Sequence, residues 1–315
     1  MNPAFSVIFL TTLIGAGQGL FLALFGAELA GFGHAATAER SFLAVGGAVA
    51  LLLCAGGLVA SFFHLGRPER AWRSATMWRT SWLSREVIAL PLFMAGLFFW
   101  TVLHATGSGG TLGLGVLSVL ACLALFVCTA MVYASVRFRQ EWASPYTLLN
   151  YTLLGLASGF TLATAMAAWG GAPTLVQPFG TLALIFTLGG GVGRSLSLRR
   201  NARLKPRSTL QSAIGIRHPK IAQRAMGFMG GSFNTREFFH GQTGGVLRQV
   251  KWAFLLGAFV LPLVLLAMGL SSASSASATL LALAFAVQYL GLLAERWFFL
   301  AQANHPQNLY YQAVS

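Results

Sequence analysis

The sequence predicts an all-α membrane protein, a single bundle of eight transmembrane helices, and three features carry that prediction. The chain of 315 residues is 56% hydrophobic and only 9% charged, whereas soluble domains carry about a quarter charged residues. Its mean hydropathy is +0.69. Eight apolar runs are close to the ~20 residues that a helix needs to cross a bilayer, and none is left over for a soluble domain. One domain over 1–315 is therefore expected, with a long polar loop at about 195–251.

The first run, 5–30, opens directly from MNPAFSVIFL with no positive n-region. It is too long for a signal h-region and reads as a retained helix. The second run, 41–63, follows the polar join GFGHAATAER and leads into SFFHLGRPERAWRSATMWRTSWLSRE at 61–86. That stretch holds five arginines, two glutamates, three tryptophans and one histidine. The third and fourth runs, 87–105 and 112–136, flank a GSGG turn; RFRQEWASP leads to the fifth, 146–169, and GGAP to the sixth, 175–196. After a long basic segment come the seventh, 252–270, and the eighth, 279–300, joined by SSASSASA. No period suggests repeats. The small residues of GAGQG at 15–19 and LGGGVG at 188–193 suit close helix packing in lipid. No strand precedes the second of these, so it is not a dinucleotide fingerprint. Cys54, Cys122 and Cys128 lie inside apolar runs with no C-x-x-C spacing. They read as small hydrophobes, with no disulfide or metal assigned.

The formal net charge of +14 does not point to nucleic acid, because the basic residues lie between apolar runs. Eight spans put both termini on one side, and 20 of the 21 lysines and arginines fall on that same side; only Arg40 lies opposite. By the positive-inside rule the loaded side is cytoplasmic. The expected location is the bacterial inner membrane, with both termini inside the cell. Six of the eight tryptophans, Trp72, Trp78, Trp82, Trp142, Trp252 and Trp297, fall near that side, as an interfacial belt against membrane lipid requires.

The segment from Arg194 to Lys251 has a basic half and then a half rich in glycine and aromatic residues. Asn234 with Glu237 three residues on fits a capping box, which predicts a short helix through 236–240. Long loops in compact proteins tend to be functional, and partner docking through Arg236, Phe238, Phe239 and His240 is the reading preferred over a plain surface loop.

His64 ends the second run, Glu86 begins the third, and Glu295 with Arg296 lies near the end of the eighth. All four belong at the arginine-rich face. Ionisable groups at membrane depth cost roughly 2.5–3.5 kcal/mol on insertion scales and mark functional sites. A histidine and a glutamate at an apolar boundary suit a neutral quinone headgroup and exchange of its protons, since imidazole titrates near neutrality. Helix capping by His64 and a helix-dipole role for Glu86 explain the same spacing. Spacing alone leaves the two readings open. Glu295 and Arg296 are candidates for a proton path. At the opposite face Glu28 is expected to pair with Arg40 or a backbone group, or to belong to a proton path. His34 and His104 share a depth there, but one sits in a loop and the other at a helix end, so no haem is expected.

PAFSVIFLTTLIGAGQG at the start, HLGRPERAW at 64–72, LSREV at 83–87 and AERWFF at 294–299 resemble the dimethyl sulfoxide reductase membrane anchor family of the DmsC type. The resemblance covers the eight-helix layout, and the HLG-x-P block followed by Ser-x-Glu is its most specific part. It implies the integral subunit of a three-part molybdoenzyme. The partners would be a molybdopterin catalytic subunit and an iron–sulfur subunit with several [4Fe–4S] clusters. The anchor would hold the site for a quinone (ubiquinone or menaquinone), and no haem. That site would fall on His64, Gly66, Arg67, Arg70 and Glu86. Within the family, sulfoxide reductases face outward, whereas related sulfite dehydrogenases keep their catalytic subunits in the cytoplasm. The charge asymmetry therefore favours the membrane subunit of a sulfite dehydrogenase over a quinol-using sulfoxide reductase. A proton-coupled transporter built on His64, Glu86 and Glu295 is the reading from another class. Transporters place ionisable residues near the midplane, whereas these charges crowd one face.

Overall fold

The computed structural model describes residues 2–34, 36–205, 207–222, 224, 239–272 and 276–305. Its eight long apolar helices are α1 (Phe5–Leu29), α2 (Thr37–Phe62), α3 (Trp82–Thr106), α4 (Thr111–Ala134), α5 (Pro145–Trp169), α6 (Pro173–Asn201), α7 (Gly244–Ser271) and α8 (Ala276–Ala301). No strand occurs among the described residues. Each expected apolar run is one helix, long enough for a bilayer.

Local chemistry sets the helix ends. The Ser81 hydroxyl accepts from the Ser84 amide at 3.3 Å, so α3 starts before the apolar run does and Glu86 lies in its second turn. Gly107 closes α3 in the left-handed region at φ 71°, a conformation that glycine adopts without steric cost. Pro145 and Pro173 open α5 and α6 at first-turn positions, where the missing N–H costs nothing. Between α2 and α3 the charged stretch forms a 3₁₀ turn, Pro68–Ala75, packed against α3.

Two helices run further than their hydropathy suggests. α6 continues to Asn201, with Arg199 and Arg200 in its last turn, where cations are favoured by the dipole. α7 begins at Gly244, capped by the Thr243 hydroxyl. The connecting segment thus spans 202–243, and Arg194 belongs to a helix rather than to a loop. The Asn234–Glu237 capping box, with Arg236 and Phe238, lies outside the described residues.

α1 is the hub, packed on α2 and α5 and touching α4 and α8. Its GAGQG run meets Gly155 and Gly159 of α5 backbone to backbone. A Cβ on Gly159 would collide with the Gly19 carbonyl carbon and the Leu20 amide, so the crossing admits only glycine there. A second such crossing joins Gly291 of α8 to α7 where α7 makes a π turn, Leu256–Val260. The main core runs through α1 to α8 around Phe21, Phe93, Leu97 and Trp100. A separate cluster at the arginine-rich end holds Ile8, Ala130, Trp142, Tyr151, Phe299 and Leu300. Leu52, Val59, Leu92 and Leu117 stay exposed, a surface that lipid covers. The cysteines are free and buried.

Candidate functional site

Glu86 is the starting point at the arginine-rich end. Its Oε1 accepts a hydrogen bond from the Thr129 hydroxyl of α4 at 2.7 Å. The two line a crevice between α1, α3, α4 and α5, walled by Leu10, Thr11, Ile14, Gly15, Gln18, Phe126 and Tyr151. The Gln18 amide is tied down by donation to the Cys122 carbonyl at 2.9 Å. Free space in the crevice is about 10 Å³, close to the room one water needs.

Tyr151 also bounds a second polar structure. The Arg296 guanidinium carbon lies 3.7 Å from the centre of the Tyr151 ring. Arg296 Nη1 is 3.3 Å from Glu295 Oε2, and Glu295 Oε1 is 2.6 Å from Arg194 Nε. Glu295 is fully buried, Arg194 is 1% exposed and Arg296 5%. Two cations thus share one carboxylate, and the excess charge is spread over rings. Arg194 lies within 6.0 Å of the centres of Phe254, Phe298 and Phe299, in the range of a cation–π attraction. Tyr133 stacks on Tyr151 at 5.4 Å. Trp142 stacks on Phe299 and donates to its carbonyl at 2.9 Å. Trp142 is therefore an interior residue and not part of an interfacial belt; Trp72, Trp78 and Trp252 are exposed as a belt requires.

The other expected residues distribute as follows. His64 lies two residues beyond α2 and is surface-exposed, yet partial desolvation holds its ring below the ordinary imidazole pKa. Its ring makes no hydrogen bond to Glu86 among the described residues. Gly66, Arg67 and Arg70 lie on the same connection, with both arginines exposed. Arg70 approaches Glu69 only at 4.0 Å, an exposed pair of little energetic weight. Phe239 is buried and His240 half-buried, with burial lowering the His240 pKa. The structure thus joins Glu86, through Tyr151, to Arg296 and Glu295, and His64 is not among the residues that line the crevice. Sequence reasoning missed Gln18, Thr129, Tyr151 and Arg194. A glutamine or arginine inside an apolar helix is itself a signal, whereas Thr129 and Tyr151 carry none without the fold.

At the opposite end Glu28 pairs with a different partner from the one expected. Its Oε2 accepts from Trp100 Nε1 at 2.8 Å, and its Oε1 is 3.3 Å from His104 Nε2. Arg40 is not its partner. The His34 ring meets the Glu28 carbonyl at 3.3 Å. His34, Arg40 and His104 line an open cavity of about 380 Å³ closed on one side by the turn at 107–112.

Comparison with known proteins agrees with this architecture. The family of the DMSO reductase anchor subunit (DmsC) matches residues 1–223. A sulfite dehydrogenase subunit of Allochromatium vinosum is 54% identical over 329 aligned residues, covering 100% of both chains. The anaerobic dimethyl sulfoxide reductase chain YnfH of Escherichia coli is 34% identical over 152 residues, 47% of this chain and 54% of that one.

Proposed function

Because this chain belongs to the DMSO reductase anchor subunit (DmsC) family, we propose that it is the quinone-reactive membrane subunit of a molybdoenzyme that oxidises sulfite. It would hold an iron–sulfur subunit, and through it a molybdopterin catalytic subunit, against the arginine-rich face. That face lies in the cytoplasm of a bacterial inner membrane on the 20-to-1 basic asymmetry. The docking surface combines the exposed Trp72 and Trp78, Arg67 and Arg70 with the half-buried His240.

One observation carries the quinone reading: a carboxylate, Glu86, is hydrogen-bonded to Thr129 at 2.7 Å inside a crevice of apolar walls and a few polar groups. Ligand sites of this kind pair apolar walls with a few placed polar groups. Leu10, Ile14 and Phe126 supply the walls, and Glu86, Thr129 and Gln18 the polar groups. The residue set fits a quinone headgroup, while the free space of about 10 Å³ does not. Binding therefore needs rim side chains to swing aside.

Sulfite and water yield sulfate, two protons and two electrons, and a quinone takes up two electrons and two protons. Glu86 is the group placed to hand a proton to a headgroup oxygen, with the Thr129 hydroxyl fixing its carboxyl. His64, which is surface-exposed, takes up protons from water and passes them inward, and its lowered pKa makes the imidazolium a readier donor. Arg67 and Arg70 set the positive potential of the rim. Glu295 and Arg296, linked through Tyr151, form a polar route from the crevice toward α6.

A sulfoxide reductase anchor using quinol is the second reading, and the partial match to YnfH is what favours it. The full-length likeness to a protein of a sulfite dehydrogenase weighs more. The deciding assay is sulfite-dependent quinone reduction by inverted membrane vesicles. Activity with sulfite supplied to the cytoplasmic face supports the first reading. Its absence, beside quinol-dependent reduction of dimethyl sulfoxide, supports the second.

A further inference from the structure

The ion cluster at the arginine-rich end carries more positive charge than a balanced pair would. Arg194 on α6 and Arg296 on α8 share the single carboxylate of Glu295, at 2.6 Å and 3.3 Å. Glu295 is fully buried, and neither arginine is more than 5% exposed. Among the described residues no second carboxylate stands within ion-pair distance of either cation. Glu69 meets Arg70, Glu28 meets His104, Glu86 accepts from Thr129, and Glu141 accepts from Asn304. Arginine keeps its proton even when buried. Two guanidinium groups against one carboxylate therefore leave one unit of positive charge in surplus, at a cost in desolvation that a balanced pair avoids.

The two cations differ in what they face. Arg194 is enclosed by Phe254, Phe298 and Phe299, which spread its charge without cancelling it. Arg296 lies over Tyr151, its guanidinium carbon 3.7 Å from the ring centre. Tyr151 is 5% exposed and walls the Glu86 crevice. Tyr133, stacked on Tyr151 at 5.4 Å, adds a second ring rather than a counter-charge. Between apolar walls a unit charge acts further and more strongly than it does across water. We propose that Arg296 makes the crevice selective for a headgroup that carries negative charge. This rests on the quinone reading of the crevice. Electrons would come from the docked subunit and protons from Glu86, so the headgroup oxygens are negative whenever the electron comes first. Glu86, as the proton donor of that reading, is uncharged until it has given its proton. It therefore does not cancel Arg296 while that charge stands.

Arg296 acts through the Tyr151 ring, so it tunes the site rather than touching the headgroup. A purely structural cluster has a different signature: losing Arg296 would loosen the crevice for every ligand alike. A charge effect falls on anions alone. The fold tolerates the substitution that separates the two, because Arg296→Gln leaves Arg194 and Glu295 as a balanced pair at 2.6 Å. Arg296→Lys keeps the charge but loses the planar group that lies on the ring.

The test uses the complex purified from membranes in detergent, with its associated subunits. Binding of two probes is measured by equilibrium dialysis at pH 7.5. One is an alkylated hydroxynaphthoquinone, anionic at that pH; the other is the neutral methylnaphthoquinone of equal chain length. The wild type should bind the anion more tightly by about tenfold, the scale of one unit charge at this range. Arg296→Gln should erase that preference by weakening the anion alone, and Arg296→Lys should keep part of it. Glu86→Ala should weaken both probes, which locates them in the crevice. Equal wild-type affinity for the two probes overturns the proposal, as does a folded Arg296→Gln that keeps the preference or weakens both alike. Those outcomes leave the quinone reading standing as long as Glu86→Ala weakens both probes. Probes indifferent to Glu86→Ala bind elsewhere, and the quinone reading then falls together with this inference.

Discussion

The Arg296 guanidinium lies over the face of Tyr151, 3.7 Å from its centre, and the same tyrosine walls the crevice of Glu86. One ring thus separates a buried ion cluster from the candidate quinone site. Replacing Tyr151 alters both at once, whereas replacing Glu295 alters the cluster first. That separation makes stability and quinone coupling distinguishable by mutation.

Glu295→Gln leaves Arg194 and Arg296 buried without a counter-charge. Breaking a buried pair by removing one partner costs about 3–5 kcal/mol. The variant should lose thermal stability in detergent and accumulate poorly in membranes. Arg194→Met combined with Glu295→Gln should recover part of the loss, because one stranded cation is gone. Thermal unfolding monitored by tryptophan fluorescence reads both.

Gly159→Ala should destabilise the α1–α5 crossing, since the new methyl would collide with the Gly19 carbonyl carbon. Overpacking of this kind costs roughly 1–3 kcal/mol. Gly26→Ala is the control: a Cβ there meets nothing within 4 Å, and the helix should be neutral or gain roughly 0.5–1 kcal/mol. Comparing the two midpoints checks the crossing.

The expectation for pH follows from His64. Burial depresses its pKa, so the neutral form persists to lower pH than in a free imidazole of about 6.5. Quinone reduction consumes protons, so His64 relays one from its protonated form, whose share grows as pH falls toward that depressed value. Quinone-coupled turnover should therefore rise as pH falls from alkaline values through neutrality. A pH–rate profile of membranes measures it, and a rate that falls with acidification over that range speaks against the role.

Much of this architecture was legible in the sequence, and the failures have physical causes. Eight helices follow from hydropathy because lipid demands a full span of apolar residues. The ends of α6 and α7 did not, since Arg199, Arg200 and Lys251 extend helices beyond the apolar core. Arg194 reads as one more basic loop residue until Glu295, distant in sequence, is brought to 2.6 Å. Glu86 stands out by its position and by the family resemblance, but its partner Thr129, 43 residues away, required the fold. Glu28 found His104 instead of Arg40 because α3 turns its histidine toward α1, while Arg40 on α2 lies against Gly107. The proposed link of His64 to Glu86 still rests on resemblance and shared depth.

Orientation has its own check. Reporter fusions at Gly109, in the turn between α3 and α4, should report the periplasm, and fusions in the 202–243 segment should report the cytoplasm. The reverse pattern would move the arginine-rich face outside the cell and favour the sulfoxide reductase reading.

The central claim is that Glu86 and His64 couple sulfite oxidation to the quinone pool. The direct measurement compares two rates in the same membranes: sulfite-dependent quinone reduction, and sulfite-dependent reduction of a soluble artificial acceptor that bypasses the anchor. Glu86→Gln and His64→Ala should each lower the first by roughly a hundredfold, the scale of a lost proton-transfer group, while the second stays at the wild-type rate. Quinone reduction that survives both substitutions would contradict the account and place the site elsewhere in the chain.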